Sequence, residues 1–153
     1  MAATHHYRAH LSWSGSTGGG YHGYRRAHRL TVAGTTLTAS ADPAYLGDGA
    51  LPNPENLLLA AASSCQMLAF LALAARAGLD VRDYTDDAEA EMPATRDRMR
   101  ITRIVLRPNI TLAPGADRAR VAELVEQAHE ECFIANTLDT EIVLDPSVTV
   151  PDS

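Results

Sequence analysis

The chemistry within reach of this 153-residue chain centres on two cysteines, Cys65 and Cys132. Cys65 sits with Ser63, Ser64 and Gln66 inside an otherwise apolar run, residues 57–75. Free cysteine is among the most buried residue types, so core packing is the plainer account of it. Three polar neighbours beside one thiol argue for a polar pocket or an interface, because unpaired polar groups are costly to bury. Cys132 shares a helical apolar face with Val121, Leu124, Val125 and Ala128, and core packing is again the plainer account. If the two helices pack together, a sulfenic acid formed on one thiol can condense with the other to a disulfide. A reactive thiol must ionise near neutral pH, which calls for a neighbouring positive charge. All 13 basic residues are Arg, so Arg or a protonated His must supply it. Arg25 and Arg26, which follow a Gly-rich turn, are the best-placed candidates; as exposed strand residues they would do nothing.

Other chemistries find less support. The absence of Lys removes Schiff-base and Lys-nucleophile mechanisms. Of the six histidines, His5 and His6 are adjacent and His10, His22 and His28 are scattered. His129 lies three residues before Cys132, a two-ligand helical pair at most. With no CxxC and no HxxxH, a metal site is not expected. No nucleophile elbow, Walker loop or dinucleotide glycine fingerprint is present. A net charge of -6 argues against non-specific binding to nucleic acid or an anionic membrane surface.

The elements that must position these residues follow from the pattern. A hydrophobic content of 46% supports one packed domain over residues 1–153. Residues 6–13, 24–32 and 35–39 read as strands of an antiparallel meander, the last two joined at Ala33-Gly34. Asn53-Pro54-Glu55 opens a helix: an N-cap, a first-position proline and an acidic first turn. It runs to about Ala77, stops at Gly78, and is apolar nearly all round, so burial on most sides is expected. Its length approaches a membrane span, but its Ala-rich, Ser-Ser-Cys-Gln centre favours a buried core helix. Residues 82–92 and 99–112 read as two strands, with a bulge where Met99 and Ile101 fall out of step with Ile104 and Leu106. An amphipathic helix over 116–132, N-capped by Asp117, precedes a last strand over 140–144 and 148–150, interrupted at Pro146. The fold class is α+β, with helices packed on antiparallel sheet. The N-terminal residues 1–13 carry no apolar export segment, so a cytoplasmic protein with free thiols is expected.

Asn53-Pro54-Glu55-Asn56-Leu57-Leu58, followed by Ala60 to Cys65, resembles the opening and cysteine of the central helix in the OsmC/Ohr (organic hydroperoxide resistance) family. Glu131-Cys132-Phe133-Ile134-Ala135-Asn136 resembles the second-cysteine segment of one branch, and Trp13, the Gly-rich turn and Gly23-Tyr24-Arg25-Arg26 also fit. The resemblance implies antiparallel sheets wrapped around a buried central helix, in an intertwined homodimer. It implies a thiol peroxidase that reduces organic hydroperoxides to alcohols, with Cys65 as peroxidatic and Cys132 as resolving thiol. Arg26, with Arg25 as alternative, would activate the thiol, and Glu55 would orient the guanidinium. No cofactor is implied beyond an external reductant: a lipoyl, thioredoxin-like or low-molecular-weight thiol. The alternative is a non-catalytic small-ligand-binding or stress-sensor protein of the same fold. Here Cys65 follows Ser-Ser and precedes Gln66, and Cys132 is followed by Phe133, both departures from better-characterised members.

Helix geometry adds one expectation. Ten residues separate Glu55 from Cys65, about 15 Å of rise on a straight helix, with an angular offset of about 80°. No Gly or Pro lies between them to break the helix. A homodimer is therefore expected in which two central helices pack through the Ala-rich surface of residues 60–75, and Glu55 serves the partner's Cys65.

Overall fold

The computed structural model describes residues 1–152. The chain forms two compact units, the first spanning Met1–Leu57 and the second beginning at Leu58.

In the first unit, β1 (Ala9–Ser12), β2 (His28–Val32) and β3 (Thr35–Ala39) form the expected antiparallel meander in the order β1-β2-β3. β1 and β2 are shorter than the alternation suggested, because the backbone between them is spent on turns, with Gly20 N–H donating to Thr17 and Gly23 N–H to Gly20. A two-residue link joins β2 to β3, with φ of 48° at Ala33 and 82° at Gly34. Two positive φ values give the turn whose twist matches a hairpin. Beyond β3, the Asp42 carboxylate accepts the Ala44 N–H at 2.8 Å and starts a single 3-10 turn, Pro43–Tyr45. The loop then folds back so closely that a Cβ on Gly47 would sit 1.7 Å from the Ala41 carbonyl oxygen. Only glycine permits that approach.

Helix α1 (Pro54–Arg76) begins in the first unit and continues unbroken into the second. Its start is a reciprocal cap: Asn56 N–H donates to Asn53 Oδ1 at 2.8 Å, and Asn53 N–H to Asn56 Oδ1 at 3.1 Å. An amide thus fills the place a Glu or Gln takes in a capping box. At the far end Gly78 adopts φ 69°, and the N–H groups of Leu79 and Gly78 donate to Ala74 and Ala75. That pairing is a Schellman motif, and the buried Leu79 packs back on the helix.

The second unit wraps α1 with two three-stranded sheets, β4-β7-β9 and β5-β6-β8. Expected single strands are divided: β4 (Val81–Asp86) from β5 (Glu89–Glu91), and β6 (Arg103–Leu106) from β7 (Pro108–Leu112). The break falls at Arg107, whose N–H donates to Asp86 Oδ1 at 2.6 Å, and it is held by Pro108, which has no N–H for the ladder. No strand covers Met99 or Ile101, so no bulge is needed there; the register shift lies between Val81 and Asp83. β8 (Glu141–Leu144) and β9 (Ser147–Thr149) run parallel to β6 and β7, a departure from the all-antiparallel expectation.

Two clusters grip α1 along its length. Ala62 packs with Ile104 and Leu106, flanked by Leu58, Leu59, Ile134 and Leu138. Phe70, Leu73 and Ala74 pack with Ile110, Leu112, Val121, Val125 and Ala128. Burial on most sides is not reached within one chain. By length and composition alone α1 would cross a membrane, yet one flank is core, while Ala61, Ser64, Leu68, Ala72 and Ala75 stay exposed.

Candidate functional site

Cys65 lies on α1 between the two clusters and is half-buried. Its polar neighbours now have reasons. Ser63 Oγ donates to Asp86 Oδ2 at 2.5 Å, fixing the carboxylate that also caps the strand break. Gln66, 1% exposed, donates its Nε2 to the Val125 carbonyl at 3.0 Å, tying α1 to α2 (Ala119–Glu131). Ser64 is exposed. Of the three polar neighbours only Gln66 is buried, and both it and Ser63 bond to groups other than the thiol.

Cys132 does not continue α2. It ends that helix, with φ −72° and ψ 112°, and caps the five-residue α3 (Phe133–Thr137). Its Sγ accepts the Ala135 N–H at 3.5 Å, and its carbonyl accepts the Asn136 N–H. Asp117, the expected N-cap of α2, stands one place too early: Arg118 is the N-cap, and Asp117 Oδ1 takes the Ala119 N–H at 3.0 Å. Both cysteines are free, and the Cys65 thiol lies near enough to Cys132 to bear on its ionisation. Burial pushes the Cys132 thiol pKa up, the Cys65 thiol pushes it further, and the N–H groups of Ala135 and Ile134 pull it down. Cys65 and Cys132, 67 positions apart in a 153-residue chain, are therefore brought together.

Arg26 and Glu55 belong to the first unit, where both line a cavity of about 500 Å³ with Trp13, Tyr24, Tyr45 and Asp42. The Arg26 guanidinium lies 4.0 Å from the Tyr24 ring centre and 4.8 Å from that of Tyr21. Its Nη1 donates to the Tyr24 carbonyl at 2.7 Å and its Nη2 to the Tyr21 carbonyl at 2.6 Å. A guanidinium carries five N–H donors, so three are left for a ligand. Arg25 is exposed and does not line the cavity; its carbonyl accepts the Trp13 Nε1–H at 2.8 Å. Trp13 meets Tyr24 edge to face at 6.1 Å. Sequence reasoning passed over Tyr45, His28 and Asp42 as parts of this site. Asp42 stood only in a Pro/Gly-rich loop, with no periodic signal to aim it.

His129 and Cys132 do not form a helical ligand pair, because Cys132 has left the helix. Among the described residues, no three His, Cys, Asp or Glu side chains cluster as a metal would require.

The profile of the family described as OsmC-like protein matches residues 47–147, a stretch that holds Glu55, Cys65 and Cys132. An OsmC-like protein of unknown function from Vibrio cholerae superimposes with a TM-score of 0.85 at 30% identity, covering 94% of this chain and all of that one. The uncharacterised protein YmaD of Bacillus subtilis is 26% identical over 152 residues, 95% of this chain and 96% of its own. An organic hydroperoxide resistance protein from Legionella pneumophila shares the fold, with a TM-score of 0.69 at 20% identity over 97% of this chain and all of its own. With a profile spanning most of its length and a relative of the same description at 30% identity, this α+β chain belongs to the OsmC-like protein family.

Proposed function

We propose that the protein is a thiol peroxidase that reduces organic hydroperoxides to alcohols. The observation that carries this reading is the pair of free, neighbouring thiols, Cys65 and Cys132. The Cys65 thiolate attacks the distal peroxide oxygen; the O–O bond breaks, the alkoxide takes a proton and leaves as alcohol, and Cys65 becomes a sulfenic acid. Cys132 then attacks that sulfur, water leaves, and a disulfide forms. An external thiol of the lipoyl, thioredoxin-like or low-molecular-weight kind returns both cysteines to thiols, in keeping with a cytosolic setting. Burial raises the pKa of the Cys132 thiol, which suits it to the resolving rather than the attacking role.

Arg26 holds the thiolate and the oxygens that gain charge, and Glu55 orients the guanidinium. These two lie in the first unit, the thiols in the second, and α1 runs unbroken from Glu55 to Cys65. The rise between them, about 15 Å, supports a site built from two copies, Arg26 and Glu55 of one serving Cys65 of the other. The exposed seam Ala61, Ser64, Leu68, Ala72 and Ala75 repeats at three and four residues, the spacing of a helix–helix contact, and Leu68 is 60% exposed. It supports a homodimer packed through α1.

Loss of cumene or tert-butyl hydroperoxide, one per dithiol consumed, tests the reading. Cys65→Ser should abolish turnover, whereas Cys132→Ser should allow a single oxidation of Cys65 and then stall. Turnover by Cys65→Ser equal to that of the parent rejects it. The cavity of the first unit supports a second reading, a non-catalytic ligand carrier. Tight ligand binding without peroxide consumption would favour that one.

A further inference from the structure

Cys65 rides on α1 and Cys132 ends α2, and little that is directional fixes one helix against the other. Their contact is apolar: Phe70, Leu73 and Ala74 of α1 pack with Val121, Leu124, Val125 and Ala128 of α2. Such contacts reward burial without direction. Among the described residues, two side-chain hydrogen bonds join the helices or their ends. The exposed Arg120 donates to the Ala77 carbonyl at 2.9 Å, just past the C-terminal end of α1. At the thiol end Gln66, the residue after Cys65, donates to the buried Val125 carbonyl at 3.0 Å. From Val125 the helix continues to Glu131 and delivers Cys132 as the next residue. Ser63 ties α1 to Asp86 of β4 and leaves α2 untouched.

The fold itself has little need of Gln66. Its Oε1 is buried and no protein group among the described residues donates to it, so an apolar side chain of similar size would serve packing as well or better. A disulfide is more demanding. Its Cα···Cα distance spans about 4.4–6.8 Å, a slack of about 2 Å, little more than the rise of one helical residue. We propose that Gln66 is a positioning residue for disulfide formation, clamping α1 to α2 in the register at which the Cys132 sulfur meets the Cys65 sulfur. The kinetic half of this rests on the peroxidase reading, where the step is attack of Cys132 on the sulfenic sulfur with loss of water. The clamp itself stands on the helix contact alone.

The reduced full-length parent, Gln66→Leu and Gln66→Met are equilibrated anaerobically in mixtures of reduced and oxidised dithiothreitol. Exchange there moves an electron pair between the cysteine pair and the dithiol. Alkylation and mass measurement give the fraction of Cys65–Cys132 disulfide, and from it the effective concentration of one thiol at the other. Both variants should lower that concentration by about tenfold, part of the roughly hundredfold that a misplacement of about 1 Å can cost. Their urea midpoints should stay at or above the parent's. In cumene hydroperoxide, the first oxidation of Cys65 should keep its rate while disulfide closure slows by about tenfold, leaving more sulfinic acid on Cys65. Gln66→Met is unbranched like Gln, so its agreement with Gln66→Leu separates loss of the bond from change of shape. A parent-like effective concentration in either variant overturns the proposal. So does a fall matched by an equal loss of folding stability, the mark of a merely structural role. The expected shift in dithiothreitol, in a protein that consumes no hydroperoxide, upholds the clamp and removes the peroxidase reading alone.

Discussion

Gln66, next to Cys65 on α1, gives a test in which the sign is not obvious. Its side chain is 1% exposed and its Nε2 donates to the Val125 carbonyl at 3.0 Å. No protein group among the described residues donates to its Oε1. The Val125 carbonyl lies inside α2, where the His129 N–H also reaches it, so it stays satisfied when Gln66 is replaced. Gln66→Leu therefore loses one neutral hydrogen bond, about 1 kcal/mol, and relieves a buried unpaired acceptor, about 1–3 kcal/mol. Leu is close to Gln in volume, so repacking costs stay small. The variant should be more stable by about 1 kcal/mol, a rise in Tm of roughly 2–4 °C for a chain of this size. Urea unfolding of the reduced protein measures it, with an unchanged m-value as the control for two-state behaviour. A loss of 1 kcal/mol or more at constant m refutes the reasoning, since it means that Oε1 contributes a bond of its own to the folded state.

Three further outcomes are expected. Burial first, and the Cys65 neighbour next among the raising causes, lift the Cys132 thiol pKa above its unfolded value, so the folded state holds that proton longer than the unfolded chain does. Stability from this source is complete below the unfolded thiol pKa, about 8.5, and is lost as pH rises toward the folded value. Cys132→Ser should flatten that alkaline decline in urea melts, and an identical slope in parent and variant counts against it. Arg26→Ala should lower kcat/KM for cumene hydroperoxide by about 10²–10³-fold, with partial recovery in Arg26→Lys, which keeps charge but loses the fork. Activity within threefold of the parent would pass the role to Arg25. Mixing Glu55→Ala subunits with Cys65→Ser subunits should restore part of the activity, because one site of the mixed dimer keeps both groups. No recovery after confirmed subunit exchange rules out a site shared between copies.

The stretches where the sequence proved most readable are those whose physics is local. Asn53 specifies the start of α1 through its hydrogen bonds with Asn56, Pro54 through its fixed φ, and Gly78 specifies its end. The strand breaks were hidden by parity. Ile104, Leu106, Ile110 and Leu112 stay in step across Arg107, and all four are buried, so alternation runs straight through a point where the chain changes sheets. The one local sign was Pro108, which cannot donate to a ladder. Cys132 was hidden in a similar way. It keeps the helical spacing of Val121, Val125 and Ala128, yet its backbone is extended, and spacing carries no information about ψ.

Arg26 shows the opposite case, a signal present but unread. From Tyr24 to Leu30 burial alternates: Tyr24, Arg26, His28 and Leu30 are half-buried, while Arg25, Ala27 and Arg29 are exposed. Only His28 onward is a paired strand, but the extended backbone keeps the two-residue period upstream. Leu30, an apolar residue in a strand with polar neighbours on both sides, marks the inward parity by itself. Counting back by twos from Leu30 reaches Arg26 and never Arg25. The choice between adjacent arginines is thus a question of register, and in a half-buried strand register is set by its apolar residues. The same count places His28 and Tyr24 on the cavity side, where both are found. The cavity as a whole offers no such handle: Trp13, Asp42, Tyr45 and Glu55 come from separate turns and caps, and nothing short of the folded first unit brings them to one wall.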